Sequence, residues 1–207
     1  MPLSNEQWLI LLCAYLIGSF PTGFLTGKIF FKINLFEHGS KNVGATNALR
    51  VLGKKAGIFV LLVDMFKGAI PVILAGKLSI KIPGFPAAAG MCAILGHTFS
   101  PFLKFKGGKG VATSAGVFAA LAPLALLCAL TLFSGIVFVT RFVSLGSMLA
   151  SVSLPAFCYF WYPQHWFLIP VSGILSLFVI YKHRANIGRL ARGEENKLSF
   201  SKSRREQ

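Results

Sequence analysis

The residues best suited to chemistry lie in one short segment, residues 97–110, between two long apolar stretches. It contains three lysines and three glycines. Glycine lets successive backbone N–H groups converge on an anion, and lysine adds the positive charge that phosphate attracts. The spacing is not that of a nucleotide-binding P-loop, because the GxxxxGK[ST] pattern is absent and no strand is predicted before it. The segment predicts a phosphate-binding loop at a membrane surface, with a plain basic connector as the alternative.

A second polar segment, residues 39–50, combines hydroxyl, amide and guanidinium groups with glycines that permit close backbone approach. Such groups suit a phosphate or an acyl carbonyl. An amphipathic turn at the membrane surface explains the same pattern, and the two interpretations are equally supported at this stage.

A third polar segment, residues 183–197, follows the last apolar run. His183 and Asn186 are three positions apart and face the same way if the helix continues through them.

Ser144 and Ser147 lie just beyond Arg141, where they could donate hydrogen bonds into a pocket on the cytosolic side. Ordinary surface roles, a snorkelling histidine and interfacial serines, are the alternatives.

One oppositely charged pair lies inside an apolar run. Asp64 and Lys67 are three positions apart, and an unpaired charge there would be expensive. The spacing favours mutual neutralisation over a direct catalytic role.

Composition predicts that membrane helices hold these residues in place. Hydrophobic residues make up 55% of the 207-residue chain and charged residues only 13%, with a mean hydropathy of +0.69. The basic residues lie in short segments between apolar runs, which argues against a nucleic-acid partner despite the net charge of +15. The four cysteines lie inside apolar runs without metal-ligand spacing, so we expect neither a disulfide framework nor a metal site.

Seven apolar runs are predicted to span the membrane. The longest, residues 111–140, would extend roughly 45 Å as one helix against a hydrocarbon core of about 30 Å. Pro123 lies where a break would divide it into two spans. The predicted spans are residues 8–27, 56–76, 84–99, 111–122, 124–140, 143–162 and 166–181.

The distribution of charge predicts the orientation. With seven spans and the N-terminus outside, 18 of the 21 lysines and arginines lie on the cytosolic side, as the positive-inside rule requires. We therefore predict one all-α integral membrane domain over residues 1–207, a seven-transmembrane-helix bundle with its N-terminus outside. Residues 182–207 form its basic cytosolic tail.

The three polar segments together resemble the bacterial acyl-phosphate:glycerol-3-phosphate acyltransferases, and the similarity covers nearly the whole chain. The corresponding motifs are Gly39-Ser40-x-Asn42-x-Gly44-x-x-Asn47 followed by Arg50, Gly96-His97 through Lys104-x-Lys106-Gly-Gly-Lys109-Gly-Val-Ala-Thr113, and His183-Arg-x-Asn186-Ile-x-Arg189-Leu with Gly193-x-Glu195.

The resemblance implies a multi-pass enzyme of the bacterial cytoplasmic membrane, with its active site at the cytosolic face. It would transfer an acyl group from acyl phosphate to the sn-1 hydroxyl of glycerol 3-phosphate, giving lysophosphatidic acid in the first step of phospholipid synthesis. No cofactor, metal, coenzyme A or carrier protein is implied. The expected partners are the two substrates, membrane lipid and, as a further candidate, the enzyme that produces acyl phosphate.

The resemblance and the charges also imply residue roles. The catalytic residues would be His183, Asn186 and Ser40. The substrate-binding residues would be Asn42, Gly44, Thr46, Asn47, Arg50, Lys104, Gly107, Gly108, Lys109, Gly110, Ser144 and Ser147. Ser40, Asn42, Gly44 and the backbone of residues 107–110 would lie near acyl phosphate, and Arg50, Lys109, Ser147, His183 and Asn186 near glycerol 3-phosphate, although these two assignments could be exchanged.

The mechanism implied is attack of the glycerol hydroxyl on the acyl carbonyl with loss of phosphate, a good leaving group. No histidine is followed five positions later by aspartate, so the His-x4-Asp pair of thioester-dependent acyltransferases is absent. The proton passes to His183 or to the acceptor's own phosphate, and the phosphate is favoured. A phosphate-ester transporter would normally show repeated halves, and the sequence shows none. A CDP-alcohol phosphotransferase would need a cluster of aspartates, yet Asp64 is the only aspartate in the chain.

Overall fold

The computed structural model describes residues 3–78 and 82–198, and regular structure in those residues is entirely helical. The α-helices are α1 (Asn5–Ser19), α2 (Thr22–Thr26), α3 (Ala45–Leu52), α4 (Lys54–Lys77), α5 (Phe85–Thr98), α6 (Val111–Leu121), α7 (Pro123–Thr140), α8 (Val143–Trp161), α9 (Leu168–Lys182) and α10 (Arg184–Ala191). A π-helical turn, Gly27–Phe31, continues α2, and a 3-10 turn, Pro101–Leu103, follows α5.

Four helical stretches are long and apolar enough to cross a membrane: Asn5–Phe31, α4, α7 and α8. Helices α6 and α9 are shorter and apolar. The predicted all-helical membrane architecture is confirmed in the described residues, while the count of seven crossings and the orientation stay predictions. Residues 199–207 of the predicted tail lie outside the described residues.

Two prolines divide the apolar runs. The predicted break at Pro123 is present, because α6 ends at Leu121 and Pro123 is the first residue of α7. Proline suits a first helical position, where its missing N–H group leaves no hydrogen bond unmade. Pro21 likewise interrupts the first predicted span between α1 and α2, and the helical stretch continues to Phe31 rather than ending near residue 27. The stretch predicted as the first span, residues 8–27, is therefore built from α1, α2 and the start of the π-helical turn.

Close helix contacts place the polar segments beside one another. A Cβ atom at Gly116 of α6 would lie 1.8 Å from the Met65 carbonyl oxygen of α4, so only glycine permits this approach. On another side of α4, a Cβ atom at Gly57 would lie 2.5 Å from the Leu49 Cα atom of α3. Helix α4 is thus held between α3 and α6, which carry the ends of two of the polar segments.

The interior and the exterior are both apolar. Phe118, Leu154 and Leu175 belong to one buried cluster contributed by α6, α8 and α9. On the outer surface, Phe138 is 80% exposed and Leu177 is 74% exposed. A large apolar exterior of this kind suits contact with lipid rather than water.

Candidate active site

A cavity of about 540 Å³ lies where the polar segments meet. Its lining comes from the segment before α3, from α3 itself, from the starts of α6 and α8, and from the junction of α9 and α10. The predicted site residues that line it are Ser40, Asn42, Gly44, Thr46, Asn47, Arg50, Lys109, Gly110, Ser144, Ser147, His183 and Asn186. Residues 90 or more positions apart in sequence are therefore brought to one site.

Three predicted site residues do not line this cavity: Lys104, Gly107 and Gly108. The Lys104 side chain is exposed, and its residue adopts a left-handed conformation with φ of 52°. The N–H groups of Gly107 and Gly108 donate to carbonyl oxygens at the end of α5, over 2.9 Å and 3.2 Å. Those two donors are engaged within the protein, which contradicts the expectation that they converge on an anion.

Two helix N-termini, rather than the N–H groups of Gly107 and Gly108, present backbone donors to the cavity. Gly44 precedes α3 and Gly110 precedes α6, and both glycines line the cavity together with the first residues of their helices. The first N–H groups of a helix have no partner within it, and the helix dipole adds partial positive charge at that end. Gly110 has φ of 82°, a conformation that favours glycine. The cavity is therefore suited to bind an anion through backbone groups.

Lys109 is the lysine of its loop that lines the cavity. Its ammonium group donates a hydrogen bond to Oδ1 of Asn186. Burial lowers the pKa of Lys109 to about 8, and the charge of nearby Glu195 opposes this shift in part. An ammonium group carries three donors, so two remain for a bound anion. The negative charge of a bound phosphate would stabilise the ammonium form of this partly buried lysine.

Glu195 joins the separate segments. Its Oε1 atom accepts hydrogen bonds from Ser144 Oγ over 2.9 Å and from Asn186 Nδ2 over 2.7 Å, and Oε2 accepts from Arg189 Nε over 2.7 Å. Burial raises the pKa of the Glu195 carboxyl, but these three hydrogen bonds and the charge of Arg189 together outweigh burial and hold its pKa below the ordinary value. Sequence reasoning placed Glu195 in a motif without assigning it to the site.

His183 is buried at the junction of α9 and α10. Its Nδ1 atom lies 2.8 Å from the Val179 carbonyl oxygen, which only accepts hydrogen bonds. The proton of the neutral ring is therefore on Nδ1, and Nε2 keeps a free lone pair. Burial, aided by the charge of Lys109, lowers the pKa of His183 to about 4. The ring is neutral near pH 7 and is a weak base.

Asn47 organises the segment before α3. Its Oδ1 accepts from the Ser40 N–H group over 2.8 Å, and its Nδ2 donates to the carbonyl oxygens of Leu35, His38 and Asn42. All the hydrogen-bonding atoms of this amide are thus used within the protein. Asn47 shapes the backbone that presents Ser40 and Asn42 to the cavity, a structural role that its residue type alone did not reveal.

Asp64, His97, Glu195 and Asn196 also line the cavity, and most of the other lining residues are apolar and come from α4, α6 and α7. The apolar residues include Ile58, Leu61, Met65, Val111, Ala115, Leu130, Phe133 and Val137. One cavity therefore combines an anion-binding part with an apolar part. That combination suits a ligand with a charged head and a hydrocarbon chain.

Asp64 and Lys67 form the predicted ion pair, with 2.8 Å between Lys67 Nζ and Asp64 Oδ1. Both side chains are buried, and Lys67 also donates to the Phe20 carbonyl oxygen over 2.9 Å. Within residues 3–78 and 82–198, no group of three or more histidine, cysteine, aspartate or glutamate side chains is arranged to hold a metal ion.

Comparison with known proteins gives a consistent result. The model of the family described as glycerol-3-phosphate acyltransferase matches residues 8–193. A glycerol-3-phosphate acyltransferase of Fusobacterium nucleatum is 46% identical over 186 residues, covering 90% of this chain and 95% of the relative. One from Bacillus subtilis (strain 168) is 43% identical over 192 residues, covering 93% and 97%.

Two solved structures also match. One is a crystal structure of PlsY (YgiH), an integral membrane glycerol 3-phosphate acyltransferase, in its glycerol 3-phosphate form. It superimposes with a TM-score of 0.87 at 36% identity, covering 94% of this chain and 96% of that one. The lysophosphatidic acid form of the same enzyme gives a TM-score of 0.85 with the same identity and coverage.

Proposed function

The chain belongs to the glycerol-3-phosphate acyltransferase family, and from this premise we propose that it acylates glycerol 3-phosphate with acyl phosphate as the donor. The products are lysophosphatidic acid and inorganic phosphate. The observation that carries the proposal is the single cavity in which Lys109 and two helix N-termini adjoin an apolar lining from α4, α6 and α7. Both substrates carry a phosphate group, and the donor and the product each carry an acyl chain.

The acceptor's phosphate is assigned to the side of the cavity that holds Lys109. Two of the three ammonium donors of Lys109 are free for it, and Arg50 and Ser147 line the same cavity. Asn186 is fixed between Lys109 and Glu195, so its amide holds the lysine in place. A cation already positioned in this way binds phosphate without a large loss of side-chain entropy.

The donor's phosphate is assigned to the start of α3. Ser40, Asn42 and Gly44 line the cavity there, and Asn47 fixes the backbone that carries them. The helix N-terminus favours an anion, and the adjacent apolar lining accommodates the acyl chain. Positioning two substrates side by side and stabilising developing negative charge supply much of the rate when the leaving group is phosphate.

The acceptor's own phosphate is the proposed base. The sn-1 hydroxyl oxygen attacks the acyl carbonyl carbon, the bond from that carbon to the phosphate oxygen breaks, and the hydroxyl proton must leave. The pKa of His183 is lowered to about 4, whereas the second pKa of a phosphate ester is about 6. The phosphate dianion is therefore the stronger base and takes the hydroxyl proton, and His183 is left to position the acceptor rather than to deprotonate it.

The proposed topology places this site at the cytosolic face of the bacterial cytoplasmic membrane. Seven crossings with the N-terminus outside put the loop before α6 and the α9–α10 junction on one side, in a single domain over residues 1–207. The positive-inside distribution of lysine and arginine supports this orientation. Glycerol 3-phosphate then enters from the cytosol, and an acyl-phosphate-producing enzyme is the partner that would supply the donor.

The decisive experiment supplies the purified protein with synthetic acyl phosphate and glycerol 3-phosphate and nothing else. We expect stoichiometric release of phosphate and formation of a lysolipid, measured by a phosphate assay and by mass spectrometry. Parallel reactions replace acyl phosphate with an acyl thioester of the same chain length. Turnover with the thioester alone would contradict the proposed donor while leaving the acylation of glycerol 3-phosphate intact.

A further inference from the structure

His97 lies at the end of α5 and contacts the loop that carries Lys109. Its side chain is buried and lines the cavity. A Cβ atom at Gly108 would lie 2.1 Å from the His97 Nε2 atom, so the imidazole ring is packed directly against the Gly108 backbone. The His97 carbonyl oxygen accepts the Gly108 N–H group over 3.2 Å. One residue thus holds Gly108 through its ring and its backbone, immediately before Lys109.

On its other side the His97 ring lies beside a charged pair, at a separation longer than a hydrogen bond. Its Nδ1 atom lies 3.8 Å from Oδ1 of Asp64, the carboxylate that is paired with Lys67. Lys67 also donates to the Phe20 carbonyl oxygen at the break between α1 and α2. The charged pair is therefore connected to the backbone at Phe20 and lies beside the imidazole.

We propose that His97, which packs against Gly108 with Asp64 on its other side, is a positioning residue that holds Lys109 toward the acceptor's phosphate. The inference rests on the proposed function, because it concerns the binding of glycerol 3-phosphate at that same site. His97 does not contact the reacting atoms. Its effect passes through the backbone of Gly108 to the position of the next side chain, whose ammonium group must reach both Asn186 and the phosphate.

A double-mutant cycle between His97 and Lys109 tests the inference. We expect His97→Ala to raise KM for glycerol 3-phosphate about tenfold, with less than about threefold change in kcat and in KM for acyl phosphate. In a Lys109→Ala background the same change should raise KM less than about twofold further, because the side chain that His97 positions is gone. His165→Ala, at an exposed histidine, is the matched control and should leave both constants unchanged.

A second pair of variants separates a positioning role of Asp64 from charge neutralisation. Asp64→Asn alone leaves Lys67 buried and unpaired, so reduced yield of folded protein is expected. Asp64→Asn combined with Lys67→Met removes both charges and should restore the yield and the melting temperature. The proposal expects this folded double variant to keep an elevated KM for glycerol 3-phosphate.

Two results would overturn the inference. Effects of His97→Ala and Lys109→Ala that multiply fully would show that the residues act independently. A wild-type KM in the folded Asp64→Asn, Lys67→Met variant would remove Asp64 from the positioning role. Neither result affects the proposed function, which is tested separately by whether wild-type protein acylates glycerol 3-phosphate from acyl phosphate.

Discussion

Replacement of Lys109 by alanine should weaken the acceptor site without unfolding the protein. The substitution removes the two ammonium donors that are free for phosphate and the one that binds Asn186. A hydrogen bond to a charged group contributes about 1.5–3 kcal/mol. Since about 1.4 kcal/mol corresponds to a factor of ten, the loss of one net contact lowers kcat/KM for glycerol 3-phosphate roughly 10- to 150-fold.

Folding should be preserved because burial disfavours the charged form of this lysine. The pKa of Lys109 is lowered to about 8, so the folded environment does not stabilise its charge relative to water. The assay follows phosphate release from acyl phosphate at varied glycerol 3-phosphate, with the melting temperature measured in the same detergent. Lys106→Ala is the matched control, since Lys106 has the same charge three positions away and is exposed outside the cavity.

Equal kinetics for the two variants would refute the reasoning. A small, similar loss in both would mean that the loop acts through general positive charge. Wild-type kinetics in both would return the loop to a topological role. A large loss of folded Lys109→Ala protein would instead show that the lysine is structural.

The remaining predictions concern the proton, the pH dependence, Glu195 and the topology. The His183→Gln variant should retain measurable turnover. An acceptor that carries sulfate in place of phosphate should bind but should not be acylated. Fast acylation of this sulfate analogue, together with complete loss of activity in His183→Gln, would assign the base to His183. In pH profiles, kcat/KM for glycerol 3-phosphate should fall above the Lys109 pKa of about 8, because the free enzyme then loses its cation, and Lys109→Ala should abolish that limb. Glu195→Gln should lower both activity and melting temperature, because Arg189 loses its charged partner and Ser144 and Asn186 keep a weaker acceptor; unchanged values would contradict a central role for this carboxylate. Cysteines placed at Lys104 and Gln164 should be labelled from the cytosolic and the external side respectively, and the reverse pattern would exclude the proposed orientation.

The features that could be predicted from the sequence are those set by helix geometry and membrane thickness. The break at Pro123 follows from the length of an apolar run against membrane thickness, and the ion pair of Asp64 and Lys67 follows from helical spacing in an apolar setting. These two inferences need only the period of a helix and the thickness of the bilayer. The placement of the polar segments on one side was predicted from the distribution of lysine and arginine, and their convergence on one site from the family resemblance.

Features that depend on the path of the chain in space were not predictable. Lys104, Lys106 and Lys109 carry the same charge within six residues, and only Lys109 lines the cavity because the loop turns at residues 104 and 105 and is bonded to the end of α5. Gly107 and Gly108 carry no side chain to distinguish a free anion-binding N–H group from one bonded to α5. Glu195 reaches Ser144, 51 positions away, only because the chain after α10 folds back over the site.

The shared cavity has a kinetic consequence. Under the proposed function, the apolar lining contributed by the membrane helices would receive the acyl donor from the bilayer, while the cationic part of the cavity would receive glycerol 3-phosphate from solution. The effective concentration of the donor would then be its mole fraction in the membrane, whereas that of glycerol 3-phosphate would be its molarity in the aqueous phase. Adding inert lipid at fixed total donor should slow the enzyme, although no bulk concentration changes. The rate of phospholipid synthesis would then depend on the surface concentration of the donor in the membrane.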